Sequence, residues 1–177
     1  HLHLSRKDLE KLFGKDYQLK KLKDISQPNQ YASQETLEII GPKNSFPKIR
    51  IVGPERKKTQ IELSISDCFY LGLQPIIRVS GNIKNTPGII IKNKQKKIKI
   101  KEGVIVAQRH LHISPSKAVE YKLKNRQKVK AIIKGKRGGV LNNIVIRIGN
   151  YKTRLHLDTD EVNALGLQNG SQVELKI

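Results

Sequence analysis

The chain has no tryptophan, no methionine, a single cysteine (Cys68), three phenylalanines and five tyrosines. So few aromatics leave no cluster of the kind that stacks on RNA bases. One thiol can form neither an internal disulfide nor a thiolate metal cluster, which excludes a disulfide-stapled secreted scaffold. No run approaches the ~18–20 apolar residues of a membrane-spanning helix, and no signal-like stretch opens the chain. These absences predict a protein without a membrane span, placed in the reducing cytoplasm. With His1 first and no methionine anywhere, some N-terminal residues are expected to be missing from the sequence. Acidic residues are scarce as well: 15 Asp and Glu stand against 35 Lys and Arg, a net charge of +20 over 177 residues. Such an excess invites a nucleic-acid reading. The competing explanation is composition drift, because Lys, Asn and Ile rise together in coding sequence rich in A and T, as in "IIIKNKQKKIKIK".

What is abundant is short β-branched runs. "LEIIG" (37–41), "KIRIVG" (48–53), "TQIELSI" (59–65), "GIIIKN" (88–93), "KIKIKEGVIVAQ" (97–108), "VKAIIKG" (129–135), "NIVIRIG" (143–149), "TRLHLDT" (153–159) and "SQVELKI" (171–177) are separated by Gly, Asn or Pro. Closely spaced strands of this type predict a mainly β protein of barrels or sandwiches. Helices are expected over 5–13, 114–122 and 160–165, with Ser5 and Ser114 as N-caps and Gly14 and Gly166 as stops.

The chain also repeats itself. "HLHLSRKDLEKL" at His1 returns as "HLHISPSKAVEYKL" 109 residues later, and "TQIELSISDCFYLGL" at Thr59 returns as "TRLHLDTDEVNALGL" 94 residues later. The two offsets differ by 15, which predicts an insertion at about 15–34 of the first copy. The simplest architecture is two homologous β-barrel domains capped by short helices, from an internal duplication, with residues 1–107 as the first unit and 108–177 as the second.

Five histidines occur, and four of them form two H-x-H pairs. On a strand, residues i and i+2 project from one face about 7 Å apart, so both imidazoles can reach one metal while Leu2 or Leu111 between them faces a core. Under the 94-residue offset Glu62 corresponds to His156, each on the polar phase of an alternating strand. The first copy thus offers His1, His3 and Glu62, and the second His110, His112 and His156. Three N/O ligands with a position left open match a catalytic zinc site. Zinc, two ions per chain, is the expected cofactor; Co, Ni or Fe could bind similar sets. Arg56, on the turn leading into the Glu62 strand, and Arg109, directly before His110, place guanidinium groups near the ligands, which suits an oxyanion such as phosphate. Ser80, in "VSG", could line the same cleft or merely end a strand.

With these residues assembled, the chain resembles the phosphate propanoyltransferases, the phosphotransacylases of propanediol-utilisation type. The resemblance covers essentially the whole chain through "HLHLS" (1–5), "DISQPNQYASQET" (24–36), "GPERKKTQIELSISDCFYLGL" (53–73), "RVSG" (78–81), "PGIIIKN" (87–93), "EGVIVAQRHLHIS" (102–114) and "LHLDTDEVNALGL" (155–167). It implies two β-barrel domains, two zinc ions on the six residues already derived, and reversible transfer of an acyl group between coenzyme A and inorganic phosphate. Arg56 would bind phosphate, with Ser80 close by. The resemblance also implies a coenzyme A site at the meeting of the two barrels, with Phe69 stacking on adenine and Lys23 and Arg50 meeting coenzyme phosphates or an adjacent chain; the bland alternative for Phe69 is core packing.

One departure concerns the start. The family carries a strand of roughly ten residues before the first H-x-H, belonging to the barrel of the C-terminal half, and this sequence begins without it. The second barrel is therefore expected to have an open edge. A peptide directing the enzyme to a bacterial microcompartment, and contacts with microcompartment proteins, would belong to that part. A homo-oligomer is compatible with all of this. The expected activity is transfer of a propanoyl or acetyl group between acyl-CoA and phosphate. The rivals are a zinc hydrolase of a phosphoester or amide, and a basic RNA-binding module. Cys68, distant from every histidine in sequence, is expected to pack beside Phe69 rather than act as a nucleophile.

Overall fold

The computed structural model describes all of residues 1–177. The chain is mainly β and divides into two compact units, His1–Ala107 and Gln108–Ile177. None of its helices is long and apolar enough to cross a membrane.

The first unit contains β1 (Leu2–His3), α1 (Arg6–Phe13), β2 (Lys21–Asp24), β3 (Tyr31–Ile40), β4 (Ser45–Gly53), β5 (Gln60–Leu63), α2 (Ile65–Leu71), β6 (Ile77–Arg78), β7 (Ile89–Asn93), β8 (Lys96–Ile100) and β9 (Val104–Ala107). Its strands make one curled sheet in the order β6-β9-β5-β1-β4-β3-β7-β8, with β2 paired to β3. The two ends of that order are free, so the sheet is a half-barrel rather than the closed barrel expected. Leu2, Leu9, Leu12, Ile39, Ile51 and Ile61 are among the residues that form its core. The stretch predicted as an insertion holds β2 and the start of β3, which pair with each other.

The second unit contains β10 (His110–Ile113), α3 (Pro115–Glu120), β11 (Lys128–Ile133), β12 (Gly139–Ile148), β13 (Arg154–His156), α4 (Thr159–Ala164) and β14 (Glu174–Lys176). Its sheet runs β13-β10-β12-β11-β14, again open at both ends. Leu111, Ile113, Ala118, Ile144 and Ile146 form its core.

The H-x-H strands occupy matching places. β1 lies parallel to β4 and antiparallel to β5, while β10 lies parallel to β12 and antiparallel to β13. A capped helix follows each: Ser5 accepts from the Asp8 amide, and Ser114 from the Lys117 amide.

Helix α2 is a correction. The alternating run 59–65 reads as one strand, yet the strand stops at Leu63 because Ser64 and Asp67 form a reciprocal capping box, and Gly72 closes the helix in the left-handed region at φ 75°. The second unit repeats the device: the run 153–159 is cut to Arg154–His156 by the Asp158–Glu161 capping box that opens α4. Likewise the run 97–108 is broken into β8 and β9 at Gly103, whose φ of 142° suits glycine.

Candidate metal centres

In the first unit, antiparallel pairing sets Leu2 opposite Ile61 and His3 opposite Gln60. One residue further, His1 and Glu62 exchange backbone hydrogen bonds, Glu62 N–H to His1 carbonyl at 3.0 Å and the His1 amine to the Glu62 carbonyl at 3.3 Å. Cross-strand neighbours share a face, so His1 Nε2 comes within 3.5 Å of Glu62 Oε2, and the His1 and His3 rings meet edge-on at 5.2 Å. His3, with 2% of its surface exposed, has Nδ1 2.9 Å from the Val52 carbonyl. If Nδ1 carries the proton, it donates there and Nε2 is left as a lone-pair donor, the arrangement found in metal-binding histidines. Burial, reinforced by the Arg56 guanidinium and opposed by Glu62, pushes the His3 pKa down to about 4.

The other oxygen of Glu62 is engaged elsewhere. Oε1 accepts from Gln60 Nε2 (2.6 Å) and Ser80 Oγ (2.8 Å). Ser80 Oγ in turn accepts from Gln60 Nε2 (2.9 Å) and Arg56 Nη1 (3.2 Å). Arg56 is held by a backbone bridge to Ser5 and by its amide, which donates to the Leu4 carbonyl at 2.9 Å. Arg56, Ser80 and Glu62, far apart in sequence, therefore form one connected network on the rim of the first cluster.

In the second unit the register is the same. His110 faces His156, Leu111 faces Leu155, and His112 faces Arg154. The three imidazoles lie close together, with centroid separations of 4.8 Å for His110–His112, 4.9 Å for His110–His156 and 4.5 Å for His112–His156; His110 and His156 are stacked, while His112 is tilted by 59° to both. Tyr151 lies nearly parallel over His112 at 4.1 Å. His110 Nδ1 sits 2.8 Å from the Gln108 carbonyl. Burial, then repulsion from His156, His110 and Arg147, drives the His112 pKa down to about 3. His112 is thus a neutral base at physiological pH, and its Nε2 is buried with no hydrogen-bond partner.

Each set presents its three ligand atoms within 4.8 Å of one another. The residues fit a divalent metal of borderline softness: imidazole and carboxylate donors, the His3 and His112 rings held neutral by burial, Nδ1 of His3 and of His110 aligned on backbone carbonyls, and in His112 a buried lone pair that would otherwise cost free energy.

Phe69 lies on α2 with 63% of its surface exposed, so it is not a core residue. Lys23 is exposed on β2. Arg50 Nη1 donates to the carbonyls of Ser33 (2.9 Å) and Gln34 (2.8 Å), which ties it to its own sheet. Arg109 pairs with Glu161 at 2.6 Å, away from the role of a second anion ligand. Cys68 is 1% exposed in the core of the first unit. Gln60 was not singled out by sequence, although its place two residues before Glu62 on an alternating strand was a usable signal.

Comparison with known proteins supplies a further finding. A family profile described as phosphate propanoyltransferase matches residues 1–168. Among curated proteins, a phosphate propanoyltransferase of Sebaldella termitidis is 45% identical over 172 residues, covering 97% of this chain and 82% of its own. One from Thermotoga maritima is 43% identical over 175 residues, with 98% and 83% covered. One from Enterococcus faecalis is 40% identical over 173 residues, with 97% and 82% covered.

Proposed function

The chain belongs to the phosphate propanoyltransferase family, and from that premise we propose that it is an acyltransferase moving a propanoyl or acetyl group reversibly between coenzyme A and inorganic phosphate, with one zinc ion held by His1, His3 and Glu62 and another by His110, His112 and His156. The observation that carries this reading is the convergence of three-donor sets in both units, one of them linked to a guanidinium through Ser80 and Glu62. Arg56 and Ser80 are the phosphate-binding residues on this reading. Phe69 offers an exposed ring for adenine, while Lys23 and Arg50 offer charge for the coenzyme phosphates.

In the forward direction a phosphate oxygen attacks the thioester carbonyl carbon, the carbon–sulfur bond breaks, and coenzyme A departs as its thiolate. Arg56 can bind two phosphate oxygens through its planar fork, and the Ser80 hydroxyl, already an acceptor for Arg56 Nη1, holds that fork in place. Neutral His3, with Nδ1 aligned on Val52, keeps its Nε2 lone pair directed at the cluster. Zinc supplies, when bound, Lewis-acid stabilisation for the thioester oxygen or the departing sulfur. Fixing both reactants by these side chains removes much of the entropic cost of their encounter. No acyl-enzyme is needed, and the chain's only thiol, Cys68, is packed in the core.

The matching strand registers and capping boxes also support descent of both units from one duplicated half-barrel element. Placement in a bacterial microcompartment and assembly into a homo-oligomer accord with this family reading.

The test is an assay of acyl phosphate formation from propanoyl-CoA together with metal analysis. Acyl phosphate appearing only when phosphate is supplied, with two zinc ions per chain, is the expected result. Release of free coenzyme A at the same rate without phosphate would mean a hydrolase instead.

A further inference from the structure

We propose that Gln60 is a positioning residue, a buried clamp that keeps Glu62 a one-oxygen ligand and holds the Ser80–Gly81 turn, and with it Arg56, at a set place beside the first centre. The inference rests on the functional reading above. Gln60 is 2% exposed, and each polar atom of its amide is used. Its Oε1 accepts from the Gly81 N–H at 2.8 Å. Its Nε2 donates to Glu62 Oε1 at 2.6 Å and to Ser80 Oγ at 2.9 Å. The amide cannot be turned over without setting its oxygen against the Glu62 and Ser80 oxygens and its NH2 against the Gly81 amide, so the orientation is determined by its partners.

The consequences run in two directions. Toward the ligand, Glu62 Oε1 already accepts from Gln60 and from Ser80, so Oε2, the atom 3.5 Å from His1 Nε2, is the one presented to the cluster. Toward phosphate, the Ser80 proton is committed to Glu62 while its lone pairs receive Gln60 and Arg56. A hydroxyl so saturated has one orientation, and the Arg56 fork inherits it. Gln60 thus couples the metal ligand to the anion-binding arginine without itself touching substrate. Loss of a side chain hydrogen-bonded to a metal ligand typically lowers metal affinity by about 10- to 100-fold. In the second unit the register partner of His112 is the exposed Arg154, so the device belongs to the first centre alone.

The experiment uses the full chain carrying Gln60→Met, which keeps the side-chain length and removes the amide. Cobalt(II) release to a chelator is followed spectroscopically, with His156→Ala identifying the signal of the second centre. The KM for inorganic phosphate and kcat are measured alongside. Expected are release from the first centre accelerated by about 10- to 100-fold, an unchanged second centre, and a KM for phosphate raised more than kcat falls. If Gln60→Met does not fold, Gln60→Asn replaces it, since its shorter arm cannot span Glu62 and Gly81 at once; both readouts then move in the same direction by less. A folded variant with two wild-type release phases and wild-type KM overturns the clamp alone. A wild-type chain that takes up no metal at His1, His3 and Glu62 overturns the first centre and the clamp with it.

Discussion

In both units an H-x-H strand runs antiparallel to a T-x-x-x-L strand, so that His1 faces Glu62 and His110 faces His156, but the side chains around these pairs diverge. The first set includes a carboxylate, has His1 with 41% of its side chain exposed, and adjoins Gln60, Ser80 and Arg56. The second is all imidazole, more deeply buried and covered on one side by Tyr151. The shared register shows that backbone geometry decides where donors converge. The differences show that substituents decide charge and access: one carboxylate offsets half the charge of a divalent ion at the first set, whereas the second set offsets none. An exposed centre beside an arginine suits substrate exchange, and a more deeply buried set of imidazoles suits retention of an ion.

That contrast can be broken most forcefully at the ligands. His112→Ala should remove one zinc per chain and lower turnover by more than about 100-fold, since losing a ligand costs more than losing its outer partner; metal analysis and the acyl phosphate assay check it. Arg56→Ala should leave both zinc ions in place and reduce kcat/KM by about 30-fold, equivalent to about 2 kcal/mol of charge-assisted hydrogen bonding, chiefly through the KM for phosphate. An equal loss of metal in this variant would mean that Arg56 serves the centre's structure instead.

Acid should separate the two units next. The folded-state pKa values, about 4 for His3 and about 3 for His112, lie below the 6.5 of free imidazole. Below pH 6.5 the unfolded chain therefore takes up protons that the folded one refuses. Stability of the metal-free chain is full above that value and falls by up to about 1.4 kcal/mol per pH unit for each histidine. The loss extends to about pH 4 for His3 and about pH 3 for His112. Urea unfolding at stepped pH should show the slope flattened over a longer range by His112→Gln than by His3→Gln.

Smaller effects sharpen the comparison on the helices. Phe69 of α2 corresponds by offset to Asn163 of α4. Phe69→Ala should raise the KM for coenzyme A about 5-fold, the loss of about 1 kcal/mol of stacking, while Asn163→Ala should leave it unchanged. Least affected should be Cys68→Ala, with turnover within about 2-fold of wild type and stability lowered by about 1 kcal/mol for a small core vacancy. Abolished turnover in a folded, metal-loaded Cys68→Ala chain would instead point to an acyl-enzyme.

Much of the ligand geometry was legible because strand periodicity is a local property. Two histidines two residues apart on a strand must share a face, and the 94-residue offset could then single out Glu62 and His156 without knowledge of the pairing. Helix α2 was harder to see, because Ile65 continues the β-branched alternation and the Ser64–Asp67 capping box overrides it only through two hydrogen bonds. Gln60 escaped notice since a polar residue on the polar phase of a strand looks like solvent exposure, whereas the Ser80–Gly81 turn covers it. Arg109 looked available for an anion until Glu161 proved to lie against it.

By itself the sequence determined the β-rich class, three of the four short helices, the paired motifs and the identity of the metal-ligating candidates, all consequences of side-chain period and local hydrogen bonding. Tertiary structure alone decided that the first sheet also ends on open edges, that Glu62 turns one oxygen to His1 and the other to Gln60 and Ser80, and that Arg56 meets Ser80 across 24 residues. Those outcomes depend on which strands and loops pack together in space, and no local periodicity encodes a contact between a turn and a strand so far apart along the chain.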